Sequence, residues 1–217
     1  MVPQRGGGDA LIRALHDHGV RDPRVLDAFR RTAREPFVPA EYVDMAREDV
    51  PVPIPHGQVT SQPSLIARMV AALRLTGRER VLEVGTGLGF QTALLGRLAA
   101  RVWSVEQYAD LAEQARANLT AAGVRNATVV VGDGTQGLAE HAPYDGIVVS
   151  AAAPQVPSPL AAQLAEGGRL VQPITGGGTD QVFAFTKHEG RLTREELVTP
   201  AYFVPLVGRY GQQSHGR

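Results

Sequence analysis

The sequence predicts an α/β fold: a doubly wound, mostly parallel sheet with a helical N-terminal extension and an antiparallel C-terminal hairpin. Three observations predict it. Short β-branched runs at 80–85, 101–106, 128–132 and 145–150 are separated, at 90–100 and 109–122, by alanine- and leucine-rich stretches of helical periodicity. Strands joined through helices pair in parallel, because parallel neighbours need a crossover connection. A glycine run, Gly85-Thr-Gly-Leu-Gly89, falls between the first strand and the first of these helices, where an open sheet of this kind forms its crevice. The chain has 217 residues, 43% of them hydrophobic, enough for one core of ordinary size.

The elements follow in order. Residues 9–18 place Leu11, Ile12 and Leu15 on one helical face, and Gly19 stops that helix. A second helix is expected from Asp22, with Pro23 at its first position and Val25, Leu26 and Phe29 turned inward. Pro36, Pro39, Pro51, Pro53 and Pro55 exclude regular structure over most of the stretch to Gly57, so an extended segment draped over the fold is expected. From 64 to 75, after Gln62-Pro63, the residues Leu65, Ile66, Met69, Val70 and Leu73 recur at helical spacing. Beyond the four strands, Gly168-Arg-Leu-Val-Gln172 reads as one more. Gln181-Val-Phe-Ala-Phe-Thr186, the turn at Glu189-Gly190 and the apolar stretch 197–206 read as a hairpin and a closing segment. Residues 1–62 are thus expected to cover a site built by an α/β core at 63–217, the whole forming one domain.

Lysine plus arginine and aspartate plus glutamate number 22 each, so no bulk charge draws the chain to nucleic acid or an anionic membrane. The absence of cysteine excludes disulfides, cysteine-ligated metals and thiol nucleophiles together. No secretory signal and no apolar run of membrane-spanning length is present, and a cytoplasmic monomer is expected.

The glycine spacing is G-x-G-x-G followed by Phe90, and no Gly-Lys-Ser/Thr occurs, which argues against a dinucleotide fingerprint and a P-loop. Glu106, at the end of the second strand, is placed to accept hydrogen bonds from two ribose hydroxyls; its alternative is a solvated strand-end charge. Asp133, after the third strand, is placed to receive an adenine amine; its alternative is an Asx turn. Three such features at the carboxyl ends of three successive strands describe an adenosine-type ligand bound without phosphates.

Val81-Leu-Glu-Val-Gly-Thr-Gly-Leu-Gly89 closely resembles the first motif of class I S-adenosylmethionine-dependent methyltransferases. Gly57-Gln-Val-Thr-Ser-Gln-Pro63 narrows the resemblance to protein-L-isoaspartate O-methyltransferases. Further similarities are Arg34-Glu-Pro-Phe-Val-Pro39, Gly132-Asp-Gly134, Ser150-Ala-Ala-Ala-Pro154, Gly167-Gly-Arg-Leu-Val171 and Tyr202-Phe-Val-Pro-Leu206. The resemblance implies methyl transfer from S-adenosyl-L-methionine to isoaspartyl proteins or peptides, with S-adenosyl-L-homocysteine as product and no metal. It implies that Ser61 is the active-site serine and that His56, Val59, Thr60, Gln62, Val204, Pro205 and Leu206 contact substrate. The cofactor residues it implies are Thr60, Ser61, Glu83, Gly85, Thr86, Gly87, Gly89, Glu106, Gln107, Asp133 and Gly134, with Gln212 helping to contain cofactor and peptide. Without the resemblance, Ser61 reads rather as a helix N-cap ahead of Pro63.

Two departures stand out. Pro55 replaces a family glycine, and Val59-Thr60 replaces Thr-Ile, so a hydroxyl moves by one position and is expected to face away from the pocket. A dedicated peptide or small-molecule acceptor, or a cofactor-binding protein without catalysis, are the rival readings. His16 and His18 read as helix-end residues, His141, His188 and His215 as loop or tail residues, and Trp103 as core.

Overall fold

The computed structural model describes residues 6–212; His215 lies outside them. Helices α1 (Gly6–Asp17) and α2 (Pro23–Arg30) open the chain. Asp22 caps α2 by accepting the Arg24 N–H at 2.8 Å, and Pro23 takes the position where its missing N–H leaves no intrahelical bond unmade. Val25, Leu26 and Phe29 are buried, as their spacing predicts, and the Phe29 ring meets Phe90 edge-on at 5.8 Å.

The proline-rich stretch is more regular than expected. It forms 3₁₀ turns at Glu35–Phe37 and Ala40–Arg47, then two short antiparallel strands, β1 (Val52–Ile54) and β2 (Gln58–Thr60). Proline fits a 3₁₀ start and a two-stranded edge because both leave N–H groups without a required acceptor. Helix α3 (Pro63–Ala72) follows, with Gln62 rather than Ser61 at its N-cap.

The remaining elements are β3 (Arg80–Val84), α4 (Phe90–Leu98), β4 (Arg101–Glu106), α5 (Ala109–Ala121), β5 (Ala127–Val131), β6 (Tyr144–Val149), α6 (Ser158–Gln163), β7 (Leu164–Ile174), β8 (Asp180–His188) and β9 (Arg191–Ala201). Seven strands form one sheet in the order β5-β4-β3-β6-β7-β8-β9. The first five in that order are parallel, and β8 and β9 extend the sheet antiparallel. Three elements exceed the expectation: α6 was not predicted, β7 begins at Leu164 rather than Gly168, and β9 begins at Arg191 rather than in the apolar stretch at 197. The prolines of Pro157-Ser-Pro159 masked α6, and the strand ends carry Ala165-Glu-Gly-Gly168 and Thr193-Arg-Glu-Glu196, polar because one face is wet.

Both faces of the parallel strands are covered. Val81 and Val102 pack towards α3, α4 and the N-terminal helices, while Leu82, Val84, Trp103, Tyr144 and Ile147 form a second cluster on the opposite face. Trp103 is core, as expected, stacked on His141 and edged by Tyr144. The chain runs from β3 outward to β5 and then crosses to β6 on the other side of β3. Connections therefore diverge between β3 and β6, which opens a crevice at their carboxyl ends. Among the described residues, no helix is long and apolar enough to cross a membrane.

Candidate active site

A cleft opens at that crevice. Its floor is the loop from β3 to α4. Gly85, Gly87 and Gly89 have φ of 93°, 54° and 95°, left-handed values that L side chains adopt only with strain, so the tight turn requires glycine. Glu106, at the end of β4 and 5% exposed, fixes this loop: its Oε2 accepts the Gly87 N–H at 2.8 Å and its Oε1 the Tyr108 N–H at 3.1 Å. Each of these oxygens has room for a further donor. Gly134 closes the side of the cleft by close approach, since a Cβ there would lie 2.4 Å from Val84 Cγ1. Gly134→Ala is expected to overpack this contact and destabilise the fold by about 1–3 kcal/mol, read as a lower thermal midpoint.

The facing wall comes from β1, β2 and the residues after them. Ile54 and Gln58, Val59, Thr60 and Ser61 line the cleft, with Phe37 and Phe90 at its base and Val204, Pro205 and Leu206 on the far side. Ala152 pins that far side by donating to Val204 O at 2.9 Å and accepting from Leu206 N at 2.7 Å. Ile54 packs with Leu88, Leu111 and Tyr108, so the β1–β2 wall lies directly against the glycine loop. Among the described lining residues, Glu106 is the one ionisable group.

The family model described as protein-L-isoaspartate(D-aspartate) O-methyltransferase matches residues 7–211. The chain belongs to this family. A protein-L-isoaspartate O-methyltransferase of Methanoculleus marisnigri is 49% identical over 199 residues, covering 92% of this chain and 90% of the relative. That of Koribacter versatilis is 47% identical over 210 residues, covering 94% of each. A solved protein-L-isoaspartate O-methyltransferase matches with a TM-score of 0.81 at 32% identity, over 94% of this chain and 67% of that one. A Plasmodium falciparum β-aspartate methyltransferase in complex with S-adenosyl-L-homocysteine shares the fold, with a TM-score of 0.80 at 23% identity, over 92% of this chain and 98% of that one. The class I methyltransferase fold is thereby established.

In this isoaspartyl methyltransferase the expected site residues divide. Val59, Thr60, Ser61, Gly85, Thr86, Gly87, Glu106, Gln107, Gly134, Val204, Pro205 and Leu206 converge on the cleft. Thr60 and Val59 both border the cleft, Val59 being 45% exposed. Glu83, Gly89, Gln62, Asp133 and His56 are not in the lining. Gly89 sits behind the loop as the N-cap of α4, and Gln62 donates to Ser64 Oγ at 2.9 Å. Gln212 bonds through its backbone to Leu206 O at 2.7 Å and so supports the far wall.

Asp133 is held by a dense set of donors from within the protein. Its Oδ1 accepts from Thr135 N and Oγ1, at 2.9 and 2.6 Å, and its Oδ2 from Gln136 Nε2 and Arg209 N, at 3.1 and 2.8 Å. Two donors meet each oxygen, so the Asx turn is formed. Burial acts on this carboxyl too, but those bonds hold its pKa below the ordinary aspartate value. His56 lies outside the cleft lining. Its ring stacks on Tyr108 at 4.1 Å, and its Nε2 lies 2.9 Å from both Asp110 oxygens, joining the β1–β2 turn to the start of α5.

Glu83 is fully buried beneath the loop. Gln91 Nε2 donates to it at 3.0 Å and Ser104 Oγ at 2.6 Å, with Thr92 Oγ1 as a third donor. Desolvation pushes its pKa up to about 7 against those three bonds. Gln91 also donates to Ser150 Oγ at 3.0 Å, and both line the cleft. Sequence reasoning did not single out Gln91, although its place one residue into α4 was a usable signal, nor Ser150 as a site residue, although it directly follows β6 at the switch point.

Proposed function

We propose that this chain transfers the methyl group of S-adenosyl-L-methionine to the α-carboxylate of L-isoaspartyl residues in proteins and peptides, starting their repair. One observation carries the placement: Ser61 and the glycine loop face each other across a single cleft, with Glu106 beneath. The lining suits the cofactor, because Glu106 has acceptor capacity where two ribose hydroxyls need it, and Leu88, Val105 and Leu111 offer apolar surface to a nucleoside. When bound, S-adenosyl-L-methionine supplies an electrophilic methyl on a sulfonium.

The chain then has little proton chemistry to perform. A carboxylic acid of pKa about 4 is already ionised at neutral pH, so the acceptor needs no general base, and the cleft lining holds none apart from Glu106. Ser61 holds the acceptor carboxylate by a hydroxyl hydrogen bond, Thr60 and Val59 border it, and Val204–Leu206 exclude water from the far side. Positioning and desolvation supply the rate. The methyl ester leaves the enzyme; the neighbouring backbone nitrogen attacks it, methanol departs, and the succinimide hydrolyses partly to normal aspartate. An acceptor that reaches this recessed cleft is a flexible segment, so damaged proteins in general are the partners. A cytoplasmic setting, a monomeric state and independence of nucleic acid belong to the same proposal.

The test is methyl transfer from labelled cofactor to two short peptides that differ only in L-isoaspartate against L-aspartate. Transfer confined to the isoaspartyl peptide is expected. Ser61→Ala is expected to lower that transfer by about tenfold or more, the worth of one hydrogen bond, while cofactor binding stays within threefold. Cofactor binding with no transfer to either peptide would reassign the acceptor.

A further inference from the structure

The motif Arg34-Glu-Pro-Phe-Val-Pro39 has no part in the chemistry above, yet Arg34 is only 2% exposed and no carboxylate is bonded to it. Its guanidinium instead faces backbone carbonyls. Nη1 donates to Glu48 O at 3.2 Å, and Nη2 donates to Val50 O at 3.1 Å and to Ser61 O at 3.2 Å. These carbonyls come from the chain entering β1 and the chain leaving β2. One side chain therefore ties the two ends of the cleft wall together at its base. Its Cζ also lies 5.8 Å from the centroid of Phe90, which with Phe37 forms the base of the cleft. Phe37 comes from the same motif and meets Phe90 at 5.8 Å.

Removing a guanidinium from water is unfavourable, and here desolvation lowers the pKa to about 10, opposed by the charge of nearby Asp49. Nε is buried with no partner. A hydrophobic residue would fill this space without those penalties, so stability alone gives no reason for arginine. What arginine alone provides is a rigid fork whose donors reach carbonyls on separate segments at once.

We propose that Arg34 is a positioning residue for the acceptor half of the reaction: it fixes the Ser61 peptide group, and through it the direction of the Ser61 hydroxyl, relative to the glycine loop. The inference rests on the function proposed above for its kinetic readout and on the geometry alone for its structural one. The cofactor half is built by β3, β4 and their loops, which Arg34 does not bond. Its loss therefore separates the two halves.

Arg34→Lys keeps the charge but offers one ammonium in place of the fork. Three measurements on the full chain decide the matter: kcat and KM for the isoaspartyl peptide, the Kd for S-adenosyl-L-homocysteine by calorimetry, and amide hydrogen exchange. The expected result is at least a tenfold fall in kcat/KM for the peptide, a cofactor Kd within threefold of wild type, and faster exchange at residues 50–62 with β3, β4 and β6 unchanged. Wild-type kcat/KM in the folded variant overturns the proposal. So does parallel loss of peptide turnover, cofactor binding and protection throughout the sheet, which marks a general scaffold residue. If Arg34→Lys does not fold, Arg34→Gln, with a neutral donor and no charge to bury, is read by the same three measurements; if neither folds, the positioning role is rejected. Should the wild type bind cofactor but ignore isoaspartate, the proposed function fails, and local against global exchange still decides the role of Arg34.

Discussion

Glu106→Ala is expected to weaken S-adenosyl-L-homocysteine binding by 10²-fold or more, measured by calorimetry. The carboxylate has two tasks. It holds the Gly87 and Tyr108 amides at 2.8 and 3.1 Å, and in the proposed function the remaining acceptor site on each oxygen serves the ribose. Charge-assisted hydrogen bonds contribute about 1.5–3 kcal/mol each, so two lost ribose contacts account for a loss of about 3–6 kcal/mol before the glycine loop relaxes. Truncation also strands the Gly87 and Tyr108 N–H groups, the first of which lines the cleft. Glu106→Gln separates these tasks, because its single carbonyl oxygen holds one amide and one hydroxyl while its NH₂ opposes the other amide; an intermediate affinity is expected. An alanine variant that binds cofactor within threefold of wild type would remove Glu106 from the ribose site.

The contrast between Glu106 and Asp133 marks how far the residues alone could be read. Both are acidic groups at or just beyond the carboxyl end of a strand, and both carried a bland alternative. Glu106 accepts the Gly87 and Tyr108 amides, one on each oxygen, and a lone pair on each stays open although Gln107 follows it directly. Asp133 precedes Thr135 and Gln136, whose donors lie within an Asx turn, and it also meets Arg209 N from the far end of the chain. The local half of that competition was visible as a turn motif; the Arg209 contact spans 76 positions and was not. The same division runs through the fold. Strands β3, β4 and β6 were legible because burial on both faces demands continuous β-branched runs. The polar ends of β7 and β9 were not, since pairing partners rather than composition make them strands. His56 stacks on Tyr108 and meets the Asp110 carboxylate on another element, a pairing that its place in the motif did not announce.

Glu83 sets the second large effect, a fall in stability with rising pH that a single substitution removes. Its folded pKa of about 7 exceeds the ordinary glutamate value of 4.5, because full burial disfavours the charged form more than Ser104, Thr92 and Gln91 favour it, with Glu106 adding repulsion. A raised carboxyl pKa means that the native state keeps a proton which the unfolded chain has released. Between about pH 4.5 and 7 the unfolded state thus binds fewer protons, and linkage makes stability decline through that window and level off above it. The span corresponds to a decline on the order of 3 kcal/mol, or about 6–12 °C of thermal midpoint for a chain of this size. Glu83→Gln keeps a carbonyl oxygen for Ser104 and Thr92, and a flipped Gln91 amide accepts from its NH₂. Its midpoint is expected to stay nearly level from pH 5 to 8 and to equal or exceed wild type at pH 8. Glu83→Leu removes the acceptor from three buried donors at about 1–3 kcal/mol each, and it loosens Gln91 and Ser150 at the cleft wall, so both midpoint and cofactor affinity fall. Thermal melts of the wild type and both variants at pH 5, 6, 7 and 8 decide it. Parallel wild-type and Glu83→Gln profiles would place the titrating proton on another group.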